Sequence, residues 1–111
     1  MPSNKERLIR DAILNKRLIQ FEYGGLRRTA EPHVYGMKKG EAQLLVYQVG
    51  GGSSSGGRLP QWRRLKVSEI SNLKELKETF SGARQTPAGQ HSGFDQVIVS
   101  VARSSEMPLP V

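Results

Sequence analysis

The chain contains no cysteine, and this absence excludes three kinds of chemistry at once. Disulfides, thiolate zinc sites and cysteine nucleophiles all require a thiol group. The two histidines, His33 and His91, do not by themselves make a metal site. We therefore expect a protein that works without a metal or another cofactor. The lack of cysteine is also compatible with a reducing cytoplasm.

Long apolar runs are missing as well. Residues 1–17 are interrupted by charges every few positions, so they lack the apolar segment of a signal peptide. No other stretch approaches the roughly 20 apolar residues that a membrane-spanning helix needs. The sequence thus predicts a cytoplasmic protein that is not exported and has no membrane partner.

Acidic residues are scarce relative to basic ones. The chain has 17 Lys and Arg residues against 10 Asp and Glu residues, which gives a net charge of +7. This excess favours phosphates, nucleic acid or acidic protein surfaces as partners. Solubility alone would also explain it, and the composition leaves both interpretations open.

The length of the chain limits its domain organisation. With 111 residues there is room for one compact domain and none for a second, catalytic domain. The serines at positions 53–55 lack the pattern of a nucleophile elbow, so they do not indicate a hydrolase. We predict a single non-enzymatic domain over residues 1–103, followed by a disordered tail over residues 104–111.

The spacing of the apolar residues predicts one helix and then strands. Residues 4–16 carry an apolar stripe with helical spacing, and Lys16 and Arg17 would suit the negative end of that helix. Residues 19–23 alternate with period two before a Gly-Gly turn, which predicts a hairpin. Its second strand runs towards Pro32, whose missing N–H predicts an edge or a break in the strand.

Further strands are predicted along the rest of the chain. Residues 44–49 form a nearly continuous apolar run, as expected for a core strand that is covered on both faces. The glycine-serine segment 50–57 is typical of a flexible loop, whose shortening would leave the fold intact. Residues 62–67 predict a strand with odd and even positions on opposite faces. Residues 70–80 fit a helical turn and a twisted strand equally well, and residues 96–101 predict a final strand.

Two short motifs lie in this series of elements. One is Arg-x-Ala-x-Pro at residues 28–32, and the other is Arg-x-Leu-x-Val at residues 63–67, followed by Ile70. With the helix and the Phe-x-Tyr strand they resemble the WYL domain, a bacterial regulatory module, over about residues 5–80. The segment 47–51, the glycine-serine loop and Pro-Gln-Trp-Arg at residues 60–63 resemble more closely the short, single-domain members of that family.

The resemblance implies both a fold and a class of function. The fold is mostly β, with an N-terminal helix followed by an Sm-like small β-barrel. Members of the family are often attached to a helix-turn-helix in transcription regulators, and they sense a ligand or bind nucleic acid through basic residues. Because no helix-turn-helix fits this sequence, the resemblance implies a non-enzymatic binding module that acts in trans. Leu44-Leu45 stands about where the family has its eponymous aromatic pair, and Glu69 where it often has arginine.

Arg28 and Arg63, which the resemblance brings forward, are the main candidate site residues. A guanidinium can bind a phosphate or carboxylate with two hydrogen bonds, and two of them on neighbouring strands would converge on one anion. The expected ligand is single-stranded nucleic acid or a small, nucleotide-like anion. The alternative for each arginine is an ordinary, solvated surface position.

Aromatic and basic residues near Arg63 complete the candidate set. Tyr47 and Trp62 border the glycine-serine loop and would stack unpaired bases, although packing in the core is the competing role for both. Arg64 and Lys66 are expected to contribute a diffuse positive field. The alternative function is a protein-interaction module that docks on a larger regulatory or defence complex.

Overall fold

One helix and a six-stranded antiparallel sheet form the part of the chain that the computed structural model describes, which is residues 4–52, 61–82 and 94–101. A short 3-10 helix, Val67–Glu69, follows the fourth strand. This arrangement confirms the predicted mostly β fold with one N-terminal helix. The elements are α1 (Asn4–Asn15), β1 (Arg17–Tyr23), β2 (Leu26–Lys38), β3 (Glu41–Gly51), β4 (Gln61–Lys66), β5 (Ser71–Thr79) and β6 (Gln96–Ser100).

The order of the strands follows from successive hairpins. β1 to β4 lie side by side, and the 3-10 helix leads the chain back so that β5 pairs with the outer side of β1. The resulting order is β4-β3-β2-β1-β5, with β6 paired to β2. Within the described ranges β4 and β5 do not pair, so the sheet is not closed and the predicted barrel is not confirmed.

β2 is a long strand that continues through Pro32, so the predicted break at this proline is wrong. The predicted edge agrees with the pairing, because neither β1 nor β6 pairs with β2 at Pro32. Its first half pairs with β1 as far as Ala30, and its second half pairs with β6 from Val34 onwards. The pairing with β3 shifts in register between Pro32 and Val34. Pro32 therefore lies at a bulge between two partner strands, where a missing N–H group is tolerated.

The end of α1 also differs slightly from the prediction. The helix ends at Asn15, and Lys16 adopts a left-handed conformation with φ of 55° directly after it. Arg17 already belongs to β1, where it lies 3.8 Å from the carboxylate of Glu75. These two cations therefore reverse the chain and begin the sheet, and the last helical turn carries no basic residue.

A buried apolar cluster joins α1 to one face of the sheet, which we call the inner face. Leu44, Leu45 and Val46 have no exposed surface, so the central run of β3 is covered on both sides as predicted. Leu45 points to the other, outer face because side chains alternate along a strand. The cluster on the inner face comprises Ile9, Ala12, Ile13, Ile19, Phe21, Ala30, Tyr35, Leu44, Val46, Leu65, Val67, Ile70, Val99 and Val101.

The sheet determines the secondary structure of two segments, one that the sequence left open and one that it predicted wrongly. The stretch 70–80, which fitted two interpretations, forms β5, and its apolar residues pack against the cluster. Gly50 and Gly51 belong to β3 and not to a dispensable loop. Gly51 has φ of 90°, and a Cβ there would collide with the backbone of Arg27. Residues 53–57 of the predicted loop and the predicted tail 104–111 lie outside the described residues.

Candidate anion-binding site

Cross-strand pairing places the two candidate arginines on the same face of the sheet. Residues that lie directly opposite each other in an antiparallel pair share a face. Arg28 lies opposite Phe21, and Arg63 lies opposite Val46. Both of these partners belong to the buried apolar cluster. Arg28 and Arg63 therefore lie on the inner face, beside the apolar core and not on an exposed surface.

Arg28 is almost completely buried, with 4% of its surface exposed. Its Nη2 atom donates a hydrogen bond to the backbone oxygen of Tyr23 at 3.0 Å. The centre of its guanidinium group lies 5.2 Å from the centroid of the Tyr23 ring, within cation–π range. Its buried Nε atom has no hydrogen-bond partner among the described residues. One edge of the guanidinium is thus held in place while Nε still has hydrogen-bonding capacity.

The charge of Arg63 influences Arg28. The pKa of Arg28 lies below its ordinary value, chiefly because burial removes water and secondly because the positive charge of Arg63 opposes its own. The prediction that the two residues lie on neighbouring strands is wrong, because β3 separates β2 from β4. In the described part of the chain, Arg28 forms no ion pair with a carboxylate. The stronger of the two charged-group influences on the pKa of Arg28 therefore comes from a group of the same sign, Arg63, and the weaker one, from Tyr23, acts in the opposite direction.

Two glutamines on the inner face extend this polar region. Gln48 lies opposite both Ala30 and Gln61, so it lies on the same face, and only 1% of its surface is exposed. Its side-chain Nε2 donates to the backbone oxygens of Gly50 at 3.0 Å and Gly52 at 2.8 Å, which fixes the chain where it leaves β3. The Oε1 atom of Gln61 is buried without a hydrogen-bond partner among the described residues.

Sequence reasoning did not identify these glutamines or Tyr23 as part of the region. A signal for Gln48 was nevertheless present, because it follows Leu44 and Val46 in the period-two series that points to the core. A polar residue in such a series is either hydrogen-bonded or functional. Tyr23 had no comparable signal, since its contact with Arg28 depends on how tightly the first hairpin turns.

The candidate aromatic residues lie on the outer face and not beside the arginine pair. Trp62 lies opposite Tyr47, and the centroids of their rings are 5.0 Å apart. The Trp62 ring also meets the edge of the His33 ring at 4.7 Å, and His33 in turn stacks on Phe80 at 5.4 Å. The predicted combination of Arg28 and Arg63 with these aromatic rings on a single surface is therefore not found. Tyr47 and Trp62 are each half-buried.

The remaining two candidates, Arg64 and Lys66, also lie on the outer face, as the alternation predicted. Arg64 is more tightly held than a diffuse surface charge would be, since its guanidinium lies 3.9 Å from the centroid of the Phe94 ring. Burial lowers the pKa of Arg64 below its ordinary value. Lys66 is exposed. The six candidates thus divide into an inner pair of arginines and an outer group of aromatic and basic residues.

The described residues contain no group of three or more His, Asp or Glu side chains that could hold a metal ion. Their helices include none that is long and apolar enough to cross a membrane. Comparisons with models of known protein families, with curated proteins and with solved structures gave no match.

Proposed function

We propose that this protein is a non-enzymatic binding module that recognises a phosphate-bearing ligand through Arg28 and Arg63. The observation that carries the proposal is the state of Arg28, which is buried on the same face of the sheet as Arg63 and has no carboxylate partner within the described ranges. A buried guanidinium without a counter-charge lowers stability, because desolvation is not offset by attraction. A bound anion would supply the missing charge and accept a hydrogen bond from the Nε atom of Arg28.

The sequence motifs support the same interpretation. Arg28 begins the Arg-x-Ala-x-Pro motif, and Arg63 begins the Arg-x-Leu-x-Val motif. The first residues of the two motifs are thus the two arginines that share the inner face. We propose accordingly that the chain is a short WYL-like module with an Sm-like barrel, acting in transcription regulation or a related process of the bacterial cytoplasm.

The division between the two faces narrows the class of ligand. A base attached to a phosphate at Arg28 cannot at the same time stack on Trp62, because that ring lies on the other side of the sheet. A nucleotide would therefore bind through its phosphates at the arginine pair alone. A longer single strand would have to pass over β4, the outermost strand on that side, to reach the aromatic residues.

A binding titration at several salt concentrations tests the proposal. The probe is a short, fluorescently labelled single-stranded DNA, and inorganic phosphate and a nucleoside diphosphate serve as competitors. Arg63→Ala should weaken binding by about tenfold or more and reduce the slope of log K against log salt by about one. The matched control is Arg27→Ala, which removes the same charge from an exposed position directly before Arg28.

The control variant should keep most of the affinity for the labelled DNA. Equal losses in Arg63→Ala and Arg27→Ala would contradict the proposal, because they would mean that only the overall positive charge matters. Absence of binding by the wild-type protein at low salt, to the DNA and to both competitors, would overturn it. Circular dichroism of each variant checks that the fold is retained.

A further inference from the structure

β4 has one unpaired edge. It pairs with β3 on one side, and the described ranges contain no strand on its other side. At its end, the backbone N–H of Lys66 points away from β3 and donates to the hydroxyl oxygen of Tyr23 at 3.2 Å. Because the N–H groups of every second residue point the same way along a strand, those of Arg64 and Trp62 also point to the open side.

These two backbone groups are available for pairing with another chain. Among the described residues, no backbone oxygen outside the sheet accepts a hydrogen bond from the N–H of Arg64 or of Trp62. The donors of Arg63 and Leu65 point instead towards β3 and hold β4 in the sheet. A new strand could therefore pair with the open edge without disturbing the existing ladder.

The charges along the edge indicate which kind of strand would fit. β4 has the sequence Gln-Trp-Arg-Arg-Leu-Lys, which contains three cations and no acidic residue. A second copy of the same strand would place like charges opposite each other, and this is destabilising. β5, the strand at the opposite end of the sheet, has two Lys and two Glu residues within 74–78 and offers no such charge preference. The β4 edge is therefore suited to an acidic partner and not to a second copy of this protein.

We propose that the open edge of β4 is a docking site for an extended acidic segment of another protein, which joins the sheet as an added strand. Backbone hydrogen bonds to Trp62 and Arg64 would supply affinity, and attraction of acidic side chains to Arg64 and Lys66 would supply selectivity. Arg64 is well placed for this role because its position over the Phe94 ring limits its freedom before binding. Nucleic acid has no backbone that can continue the ladder, so the edge distinguishes a peptide from a phosphate-bearing strand.

The test uses a labelled peptide of about six to eight residues that alternates Glu and Val, a length typical of a strand. The matched peptide alternates Lys and Val. The Glu peptide should bind to the wild-type protein, and the Lys peptide should not. Arg64→Ala removes one cation and keeps the N–H, so it should weaken binding a few-fold. Arg64→Pro removes that N–H as well and should weaken binding at least a further tenfold.

Arg64→Pro leaves the donors that point towards β3 in place, so circular dichroism should show a retained fold. Hydrogen exchange on the wild-type protein gives a second measurement that does not depend on a variant. The Glu peptide should slow exchange at the amides of Trp62 and Arg64 and leave that of Leu65 unchanged. Equal binding of both peptides, equal binding by Arg64→Pro and Arg64→Ala, or no protection of these two amides would overturn the proposal.

Competition separates this site from the arginine pair. Inorganic phosphate that occupies the inner face should not displace the Glu peptide, and Arg28→Met should bind the peptide as the wild type does. Displacement of the peptide by phosphate would also overturn the proposal. So would an Arg64→Pro variant that no longer binds the labelled single-stranded DNA but still binds the peptide. The latter result would mean that the edge is a nucleic-acid surface.

Discussion

The inner face of the sheet has two ends that are equally buried and chemically opposite. Along β3 the side chains change from Leu44 and Val46, which have no exposed surface, to Gln48, of which 1% is exposed. β2 changes in the same way, from Tyr35 and Ala30 to Arg28. One end of each strand is thus buried among apolar groups, with α1 packed against β2, while the other end buries an amide or a guanidinium.

Equal burial has opposite energetic consequences at the two ends. Removing apolar surface from water contributes about 25 cal/mol per Å², so the helix-covered end stabilises the fold. Burial of a guanidinium next to another positive charge costs free energy, which must be recovered from the rest of the molecule. A group that is retained at such a cost is expected at a functional site. We therefore expect the apolar end to supply stability and the arginine end to supply the proposed binding.

The largest expected effect on the free energy of unfolding comes from a substitution at the apolar end. Ile13→Ala should lower the free energy of unfolding by about 2–5 kcal/mol, because Ile13 is fully buried and its removal leaves a cavity. The adjacent Leu14 is 66% exposed, and Leu14→Ala should change the value by no more than about 0.5 kcal/mol. Urea denaturation followed by the fluorescence of Trp62 measures both. Similar values for the two variants would mean that α1 does not pack as described.

At the arginine end we expect a substitution to change stability little and binding strongly. Arg28→Met replaces the charge by an apolar side chain of similar length, so the lost hydrogen bond to Tyr23 and the relieved desolvation should nearly cancel. The free energy of unfolding should stay within about 1 kcal/mol of the wild type, or rise. Affinity for the labelled DNA should nevertheless fall about tenfold or more. A loss of several kcal/mol in stability with unchanged affinity would make Arg28 a structural residue.

Much of the apolar end could be predicted from the sequence, because it follows from local periodicity. The stripe on α1, the alternation in β1 and the run in β3 each fix a face without knowledge of the rest of the chain. The continuation of β2 through Pro32 could not be predicted, since it depends on β6, which joins from about 60 residues further along. The same limit applies to β5, whose spacing fits a helix until its pairing with β1 is known.

The arginine end could be predicted only in part. The two motifs pointed to Arg28 and Arg63, and the alternation in β4 correctly separated Arg63 from Arg64. That same alternation also separates Trp62 from Arg63, yet the prediction grouped them because they are adjacent in sequence. Residues that are adjacent in a strand point to opposite faces, and this is why the aromatic residues were misplaced.

The smallest expected effect concerns the hydroxyl of Tyr35, a polar group at the apolar end. Among the described residues this hydroxyl has a hydrogen-bond partner, unlike Nε of Arg28 at the other end. The hydroxyl of Tyr35 donates a hydrogen bond to Oε2 of Glu6 at 2.8 Å, whereas Nε of Arg28 lacks a partner within the described residues. Burial and this bond to Glu6 raise the pKa of Tyr35 from 10.0 to about 12. The folded state therefore favours the protonated phenol.

The sign of the pH dependence follows from that raised pKa. The stabilisation is fully present below about pH 10 and is lost as the pH rises towards 12, because the unfolded chain ionises its tyrosine first. Tyr35→Phe should lower the free energy of unfolding by roughly 1 kcal/mol at neutral pH, where the hydrogen bond is intact. The difference between wild type and variant should then shrink across the window from pH 10 to pH 12. Urea denaturation at a series of pH values measures this difference. Because the wild type and the variant share all other titrating groups, the contribution of those groups cancels in the difference. A difference that stays constant through pH 12 would show that Tyr35 ionises alike in the folded and unfolded chains, and that the polar group at the apolar end is not held by Glu6.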